Sequence, residues 1–211
     1  MYSKYKLFVF DFDGTLTRRD TFIEFLRYVH GTKATLKGLL RCSPQLLLMT
    51  LGLADNGKVK ERVFARFFAG MNAETFDTWC RRFARDNKSM LRPKGMKRLR
   101  EVLDDGSHAL IVSASITQYV AYFFDDIVAD YPIASFRVVG TEVSLEQGRV
   151  SGRFATPNCY GAEKLRRVRA LYPARDDYYL TVYGDSRGDL QLLDDCDEGY
   201  YRPFRGKIST L

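Results

Sequence analysis

Apolar positions at the start of the chain follow first a strand pattern and then a helix pattern. The run LFVF, residues 7–10, contains no polar residue and predicts a strand that is buried on both faces. After Gly14, apolar residues recur at helical spacing through RDTFIEFLRYVHG, where Asp20 is placed to cap the helix and Gly31 to end it. Similar patterns in KVKERVFARFFAG and AETFDTWCRRFARDN extend a helical block from about Thr17 to Lys88.

Beyond Pro93 the pattern changes to an alternation of helices and strands. Such an alternation predicts a parallel sheet covered by helices on both faces, an α/β fold with three α/β/α layers. The helical block then forms an insertion after the first strand, and ligands are expected beyond the carboxyl ends of the strands. The predicted elements are helices in GMKRLREVLDDG, ITQYVAYFFDD, GAEKLRRVRALY and DLQLLDDC, strands in HALIVS, FRVVGT, YYLTVYGD and EGYYRPF, and a hairpin in EVSLEQGRVSGRF with its turn at Gln147-Gly148.

The composition is that of a folded, basic protein. The chain has 211 residues, of which 45% are apolar, enough for one sizeable core with or without a smaller appended domain. Its net charge of +7 favours anionic partners such as phosphate esters or anionic lipid surfaces, although basic and acidic residues are interleaved along the chain. A nucleic-acid partner is not expected, because the sequence has no RNP-like strand, zinc-ligand spacing or basic helix.

Cysteine usage and the first residues predict a cytoplasmic setting. The four cysteines form no C-x-x-C pair and there are only two histidines, so a zinc site is not expected and reduced thiols are the default. The first strand begins within a few residues of Met1, which leaves no room for a signal peptide. The longest uncharged run, Cys42–Ala54, contains a proline and is shorter than the roughly 20 residues that span a bilayer. We therefore expect a chain that is soluble or peripheral to the inner face of a membrane.

Two aspartates, Asp11 and Asp13, end the first apolar run. Residues i and i+2 of an extended chain point the same way, so both carboxylates can share one face as the chain enters the Gly14 turn. Two like charges that close raise each other's pKa unless a cation joins them, and a hard divalent ion such as Mg²⁺ has the required preference for oxygen ligands. The alternative is a pair of solvated loop carboxylates with a turn at Asp13-Gly14.

A second strand also ends in acidic residues. In VYGDSRGDL, Asp185 follows the apolar run and Asp189 comes four residues later. Because neighbouring parallel strands end at the same edge of a sheet, Asp185 can approach Asp11 and complete an oxygen-rich metal site. Helix capping is the alternative role, and it suits Asp189 better than Asp185.

Ser113 and Lys164 are candidate phosphate-binding residues. Ser113 ends the strand HALIVS, and a hydroxyl beside free N–H groups at a helix start suits a phosphate. Lys164 lies in the first turn of a predicted helix, where a cation is unfavourable by about 0.3–1 kcal/mol unless an anion is near. Taken alone, a serine such as Ser113 or Ser115 more often caps a helix, and a lysine is more often solvated.

Together these motifs resemble the haloacid dehalogenase-like (HAD) hydrolase superfamily, and within it the phosphoserine-phosphatase-like branch, subfamily IB. DFDGT looks like the first motif, IVSAS holds the serine of the second, CYGAEK holds the lysine and GDSRGD is similar to the acidic fourth motif. The four motifs occur in the order that the family has. The resemblance implies a Rossmann-like catalytic core of residues 1–16 and 89–211 and an inserted helical cap of residues 17–88.

The resemblance also implies a Mg²⁺-dependent phosphatase that forms an aspartyl phosphate. Asp11 would be the nucleophile, while Asp13 would be the general acid toward the leaving alcohol and then the general base for the hydrolytic water. Relatives that break carbon–halogen bonds typically lack the second aspartate, so Asp13 favours a phosphatase. Ser113 and Lys164 would bind the phosphoryl oxygens. The implied ligands of Mg²⁺ are the carboxylate of Asp11, the backbone carbonyl of Asp13, Asp185 and, in support, Asp189.

The implied substrate is a small phosphorylated metabolite such as phosphoserine. Two positions depart from the phosphoserine phosphatase pattern. Asp20 stands where those enzymes have a glutamate that recognises the amino group, and Ala114-Ser115 replaces the paired glycines after the motif serine. Asp20 either does similar work or caps the helix. The candidate specificity contacts in the cap are Asp20, Glu24 and Arg27.

The cap also resembles that of bacterial phosphatidylglycerophosphate phosphatases of type C, which act on lipid head groups. The similarity runs from DTFIEFLRYV into LKGLLRCSPQLLLMTLGL. An apolar segment flanked by basic residues can rest on an anionic membrane surface, so a lipid-phosphate phosphatase is the alternative function. Packing of the apolar segment in the cap, with the basic residues outside, is the other interpretation. The flanking basic residues are Lys37, Arg41, Lys58 and Lys60.

A non-enzymatic alternative is a receiver-like switch, which is phosphorylated on an aspartate at a strand end beside a lysine. A receiver needs neither Asp13 nor a long helical insertion after its first strand. The sequence therefore favours the enzyme.

Overall fold

The structure, a computed structural model, describes residues 4–44, 47 and 55–205. Its strands are β1 (Tyr5–Phe10), β2 (His108–Ile116), β3 (Phe136–Thr141), β4 (Val143–Glu146), β5 (Arg149–Phe154), β6 (Tyr178–Gly184) and β7 (Glu198–Tyr201). Five of them form a parallel sheet with the order β3-β2-β1-β6-β7, and β4 and β5 form a separate antiparallel hairpin. The strands and the hairpin that the sequence predicts are therefore present.

Helices connect the strands and cover the sheet. They are α1 (Thr21–His30), α2 (Thr32–Arg41), α3 (Asn56–Phe68), α4 (Ala73–Asp86), α5 (Pro93–Asp104), α6 (Thr117–Tyr122), α7 (Asp125–Asp130), α8 (Ala162–Leu171) and α9 (Leu190–Asp194). The one helix expected in ITQYVAYFFDD is divided into α6 and α7 at Phe123 and Phe124. Both phenylalanines are fully buried. In one straight helix on the surface, two neighbouring side chains point about 100° apart and are rarely both buried.

Alternate residues of β1 face opposite sides of the sheet. Leu7 and Val9 belong to a buried cluster that includes residues of α8 and α9. Phe8 and Phe10 belong to a second cluster that includes residues of α5 and α6. Because β1 is central and buried on both faces, the sheet is the middle layer of an α/β/α fold, as the sequence predicts.

Polar residues fix the starts of the helices in the insertion. The Asp20 carboxylate accepts the Ile23 N–H at 3.1 Å, so it caps α1, and Gly31 follows the last residue of α1 with a φ of 77°. Asp55 caps α3 and Asn72 caps α4 in the same way. These caps satisfy N–H groups that have no partner inside the helix.

Helices α1 to α4 lie between β1 and β2 and pack on the sheet. Phe25, Phe64 and Phe83 are fully buried in the same cluster as Phe10, so the insertion and one face of the sheet share an apolar core. The division into a core of residues 1–16 and 89–211 and a cap of residues 17–88 stays a prediction.

The apolar run Cys42–Ala54 lies mostly outside the described residues, which include 42–44 and 47 of it. Across the described ranges, no helix is both long enough and apolar enough to cross a bilayer.

Candidate active site

Asp11 and Asp185 meet at one edge of the sheet. Phe10 at the end of β1 pairs with Tyr183 of the parallel strand β6, and the Asp11 N–H donates to the Tyr183 carbonyl at 2.9 Å. Both strands therefore deliver an aspartate to the same place. One carboxylate oxygen each of Asp11, Asp185 and Asp189 lies within 4.8 Å of the others. The approach of Asp185 to Asp11, on which the predicted metal site depends, is thus present in the structure.

A tight turn after β1 brings Gly14 against Asp185. Gly14 has a φ of +81°, a conformation that residues with a side chain rarely adopt. A β-carbon at this position would lie 2.4 Å from Asp185 Oδ2, well inside contact distance. The turn therefore needs a glycine both for its backbone conformation and for the space that the Asp185 carboxylate occupies.

Lys164 joins two of the carboxylates. It lies in the first turn of α8 and is only 2% exposed, and its Nζ donates to Asp11 Oδ1 at 2.5 Å and to Asp189 Oδ1 at 2.7 Å. Burial acts to lower the pKa of Lys164, but the two carboxylates outweigh it and hold the pKa above its usual range. Lys164 is a cation at neutral pH, and its position in the helix is explained by its hydrogen bonds to these two acidic side chains.

Asp11 keeps one carboxylate oxygen without a hydrogen bond. Its Oδ1 accepts Lys164, whereas Oδ2 is buried and has no partner among the described residues. Burial, opposed by Lys164 and reinforced by Asp189, raises the pKa of Asp11 to about 8. An unpartnered buried oxygen beside two other carboxylates is the arrangement expected where a cation binds.

Asp189 and Asp185 differ in how they are held. Asp189 Oδ2 accepts the N–H groups of Asp185 and Ser186 and the Ser186 hydroxyl, each at 3.0 Å. Although burial opposes it, Lys164 and these hydrogen bonds lower the pKa of Asp189. Asp185 instead pairs with Arg205, and burial raises its pKa. Asp189 therefore fixes the loop and Lys164, while Asp185 is paired with Arg205.

Asp13 is turned toward two hydroxyl groups across the turn. Its Oδ1 accepts the N–H and hydroxyl of Thr21 at 2.7 and 2.6 Å, and its Oδ2 accepts the Ser115 hydroxyl at 2.5 Å. Burial and the charge of Asp20 raise the pKa of Asp13, and the hydrogen bonds of Ser115 and Thr21 oppose this rise. An acid with a raised pKa is suited to donate a proton near neutral pH.

Ser113 lies behind Ser115 and does not reach the cavity wall. Its hydroxyl is fully buried, accepts the Ser115 N–H at 2.9 Å and lies 3.3 Å from Asp13 Oδ2. Neither serine caps α6, because β2 continues to Ile116 and no side chain bonds to the start of that helix. Ser113 thus supports Ser115 and Asp13, and its contact with a phosphoryl group stays a prediction.

A cavity of about 540 Å³ opens above these residues. Its floor is formed by Asp11, Asp13, Asp185, Lys164 and Ser115. The insertion contributes an apolar and a polar part of the wall. The apolar part consists of Phe22, Ile23, Leu39, Val59 and Val63, and the polar part consists of Arg18, Arg19, Asp20, Asn56 and Lys60. Arg205 adds a further basic group.

The three predicted specificity residues are not all brought to this cavity. Asp20 lines it, although one of its oxygens caps α1. Glu24 and Arg27 form an ion pair at 3.0 Å with each other and lie outside the cavity wall. They face away because they are on the side of α1 opposite to its buried residues.

Lys60 is a cavity residue that the sequence did not identify. In the sequence it is one of the basic residues that flank the apolar run, and in the structure its side chain lines the cavity. Its Nζ donates to the Ala114 carbonyl at 2.8 Å, between the two serines of β2. Only the rotation of α3 relative to the sheet distinguishes Lys60 from Lys58, which is exposed on the same helix. No local pattern carries that information.

The geometry agrees with a comparison of the chain with known families. Residues 8–194 match the haloacid dehalogenase-like hydrolases. The chain belongs to this family. The predicted hydrolase and the predicted HAD-like α/β fold are thereby confirmed. The narrower resemblances of the chain, to the subfamily IB branch and to phosphatidylglycerophosphate phosphatases, stay predictions.

Several known proteins are similar to this chain over most of their length. Protein CicA of Caulobacter vibrioides, in strains NA1000 and CB 15, is 34% identical over 203 residues, which are 95% of this chain and 87% of that protein. A Bordetella pertussis Tohama I protein of unknown function has a TM-score of 0.77 at 20% identity, covering 93% of this chain and 89% of that one. A substrate-bound phosphoserine phosphatase has a TM-score of 0.60 at 14% identity, covering 95% and 87%. At such identities the two structures support the shared fold.

Proposed function

We propose that this HAD hydrolase is a phosphatase that cleaves a phosphomonoester through an aspartyl phosphate on Asp11. The observation that carries the proposal is the state of the Asp11 carboxylate. One of its oxygens is held by Lys164 and the other is unpartnered in the described structure, at the floor of a cavity that can admit a phosphate ester. A carboxylate held in this way is oriented for attack on phosphorus.

The acidic cluster fits a divalent cation, for which we propose Mg²⁺. The unpartnered Asp11 Oδ2 and the nearby oxygens of Asp185 and Asp189 are hard oxygen ligands of the type that Mg²⁺ prefers. Asp11 and Asp185 would hold the ion, with the Asp13 carbonyl and Asp189 in support. When bound, Mg²⁺ neutralises the charge of the attacking carboxylate and of the phosphoryl oxygens.

The chain's own residues account for the proton transfers. An Asp11 oxygen forms a bond to phosphorus while the bond from phosphorus to the leaving oxygen breaks, and Asp13 donates a proton to that oxygen. Asp13 then removes a proton from the water that attacks the aspartyl phosphate, which releases inorganic phosphate and restores Asp11. Lys164 offsets the charge that repels a carboxylate from a phosphate. Ser115 and Thr21 hold Asp13 in place during both steps.

A burst experiment tests the covalent step. The Asp13→Asn variant, mixed with 4-nitrophenyl phosphate and Mg²⁺, should release about one equivalent of nitrophenol per protein and then turn over slowly, because this leaving group needs little protonation while hydrolysis needs the base. Asp11→Asn should give no burst, and a chelator should abolish turnover by the wild type. Turnover that survives chelation would contradict the metal, and a stable phosphoprotein in the wild type would support the receiver-like switch instead.

For the substrate we propose a small phosphorylated metabolite, and an observation on α2 favours a lipid phosphate as second candidate. Leu36 and Leu40 on this helix are 58% and 64% exposed, whereas Leu39 lines the cavity. The helix carries no acidic residue. Its exposed basic residues are Lys33, Lys37 and Arg41.

An apolar and basic helix face beside the cavity mouth would let an anionic bilayer present a head group to the site. Sedimentation with vesicles separates the two candidates. Vesicles of phosphatidylglycerol should bind the wild type and bind a Leu36→Glu, Leu40→Glu variant at least about 10-fold more weakly if the lipid candidate is right. The small metabolite is the favoured substrate if the wild type sediments equally with phosphatidylcholine and phosphatidylglycerol vesicles and hydrolyses phosphoserine but not phosphatidylglycerophosphate.

A further inference from the structure

Lys60 is a cation in the cavity without an anionic partner. In residues 4–44, 47 and 55–205, no carboxylate lies within 4.0 Å of its Nζ. Its contacts are the Ala114 carbonyl at 2.8 Å and the ring of Phe22, whose centre is 4.7 Å away. Lys164, the other lysine of the cavity, has two carboxylates at hydrogen-bond distance. The two lysines thus differ in whether the protein itself neutralises them.

The position of Lys60 is unfavourable in the absence of a ligand. An ammonium group has three N–H donors, and Ala114 satisfies one of them. Burial lowers the pKa of Lys60, although Asp20 and Asp13 oppose this shift. A tether between α3 and β2 needs a donor for the carbonyl but not a positive charge. A charge kept in a partly dehydrated cavity is typical of a ligand-binding position.

Lys60 and Lys164 are bound by different parts of the site. Lys164 Nζ donates to Asp11 and Asp189, whereas Lys60 Nζ donates to the Ala114 carbonyl. In the proposed function Asp11 attacks phosphorus, whereas Asp13 protonates the leaving oxygen. The Ala114 carbonyl that holds Lys60 also lies between the serines that bond to Asp13. This places Lys60 beside the segment of β2 that bonds to Asp13, which is the leaving-group side in the proposed reaction.

We propose that Lys60 is a specificity-determining residue that binds an anionic group on the leaving-group side of the ester. The inference rests on the proposed phosphatase function and extends it to a substrate class. Phe22, Val59 and Val63 line the same cavity as Lys60 with apolar surface. The leaving group is therefore expected to contain an anionic group for Lys60 and an uncharged part that contacts these side chains. The shared chemistry of the ligand is a negative charge close to the ester, from either a carboxylate or a second phosphate.

Two-carbon esters isolate this charge. Ethyl phosphate has a neutral leaving group, 2-phosphoglycolate adds a carboxylate, and ethane-1,2-diyl bisphosphate adds a second phosphate. The ratio of kcat/KM for each anionic ester to that for ethyl phosphate is measured in the wild type and in Lys60→Gln. Glutamine keeps an N–H donor for the Ala114 carbonyl but has no charge. The ratio should fall at least about 10-fold, mainly through KM, since a hydrogen bond to a charged group contributes about that factor.

Control variants separate the charge from other effects of substitution. Lys58→Gln changes an exposed lysine of α3 and should keep the wild-type ratio. Lys60→Arg keeps the charge and should retain most of the preference. If Lys60→Gln is not recovered folded, as judged by its thermal transition, Lys60→Met carries the same test. The anionic ester that responds more strongly identifies the carboxylate or the phosphate as the preferred group.

The outcomes that overturn the inference are distinct from failure of the proposed function. A wild type that hydrolyses none of the three esters with Mg²⁺ contradicts the phosphatase itself. A wild type that hydrolyses all three, with a ratio unchanged in Lys60→Gln, overturns the role of Lys60 alone. An equal fall of the ratio in Lys58→Gln also overturns it, because a general change in surface charge would then explain the effect.

Discussion

Gly14 lies so close to Asp185 that the carboxylate occupies the place of a side chain at position 14. A β-carbon there would be 2.4 Å from Asp185 Oδ2 and 2.8 Å from Asp185 Cγ. The turn after β1, which contains Gly14, therefore packs directly against Asp185, the residue that follows β6. The position of the Asp185 carboxylate relative to Asp11 depends on this fit, so a change at Gly14 acts directly on the site.

Gly14→Ala should therefore impair activity more than its backbone strain explains. Alanine must adopt a positive φ, at a cost of about 1–2 kcal/mol, and must also displace Asp185. Gly106→Ala is the matched control, because Gly106 has a φ of +74° with nothing within 4 Å of the added carbon. In urea unfolding both variants should show the cost of the positive φ, but only Gly14→Ala should lose kcat/KM, by at least about 10-fold. Equal activity of the two would contradict the fit.

Asp11→Asn should stabilise the metal-free protein while it removes activity. The pKa of Asp11 is about 8 in the folded protein and near its ordinary 3.8 when unfolded. Between these values the folded protein retains a proton that the unfolded chain has lost, so wild-type stability falls as the pH rises from about 4 to about 8. Asparagine removes this dependence.

The difference is measured by denaturant unfolding in the presence of a chelator. The free energy of unfolding of Asp11→Asn should exceed that of the wild type increasingly from pH 5 to pH 8, and by more than about 1.4 kcal/mol at pH 8, the equivalent of one pKa unit. A difference that does not change with pH would show that Asp11 titrates at its ordinary pKa.

Binding of Mg²⁺ should release a proton at pH 7. Asp11, with a pKa of about 8, is mostly protonated there and must ionise before it can act as a ligand. Calorimetric titration in buffers of different ionisation enthalpy measures the release, which should approach one proton per ion and vanish in Asp11→Asn. Affinity should weaken about tenfold for each pH unit below 8. Binding without proton release would contradict the assigned state of Asp11.

Lys164→Met should destabilise the protein because it leaves two buried carboxylates without their cation. Removal of one partner of a buried ion pair costs about 3–5 kcal/mol, and Asp11 can recover part of this by protonation. Lys97→Met, which changes a side chain that is 80% exposed, should cost less than about 0.5 kcal/mol.

The Lys164→Met, Asp11→Asn double variant tests the cause. Asp11→Asn should stabilise the protein more in the Lys164→Met background than in the wild type at pH 8, because Lys164 no longer lowers the pKa of Asp11 and the folded protein must keep this side chain protonated. Equal gains in the two backgrounds, measured by denaturant unfolding, would instead indicate that Lys164 contributes by packing.

Local signals in the sequence were sufficient for the frame of the site. The apolar runs before Asp11 and Asp185 mark strand ends, and parallel strands share an edge, so the two acids could be placed together without coordinates. The caps at Asp20 and Gly31 are equally local, since each depends on a few neighbouring backbone groups.

Contacts between distant elements could not be predicted in the same way. Lys60 and Lys58 have the same local context, yet α3 turns the first toward Ala114 and leaves the second exposed. The sequence predicts that Ser113 ends its strand, but β2 runs on to Ile116. This puts the Ser115 hydroxyl closer to Asp13 than the Ser113 hydroxyl. These differences arise from packing of elements that lie far apart in the chain.

Because β6 pairs directly with β1, the candidate active site is assembled from segments separated by most of the chain. On a ribosome, β1 emerges early and has only β2 as a neighbour until β6 has been synthesised. A nascent chain therefore carries Asp11 without Asp185 or Asp189 beside it, although Lys164 has already been synthesised. In the proposed function the site is complete only after β6 has paired with β1, so chains truncated before Asp185 should release no phosphate.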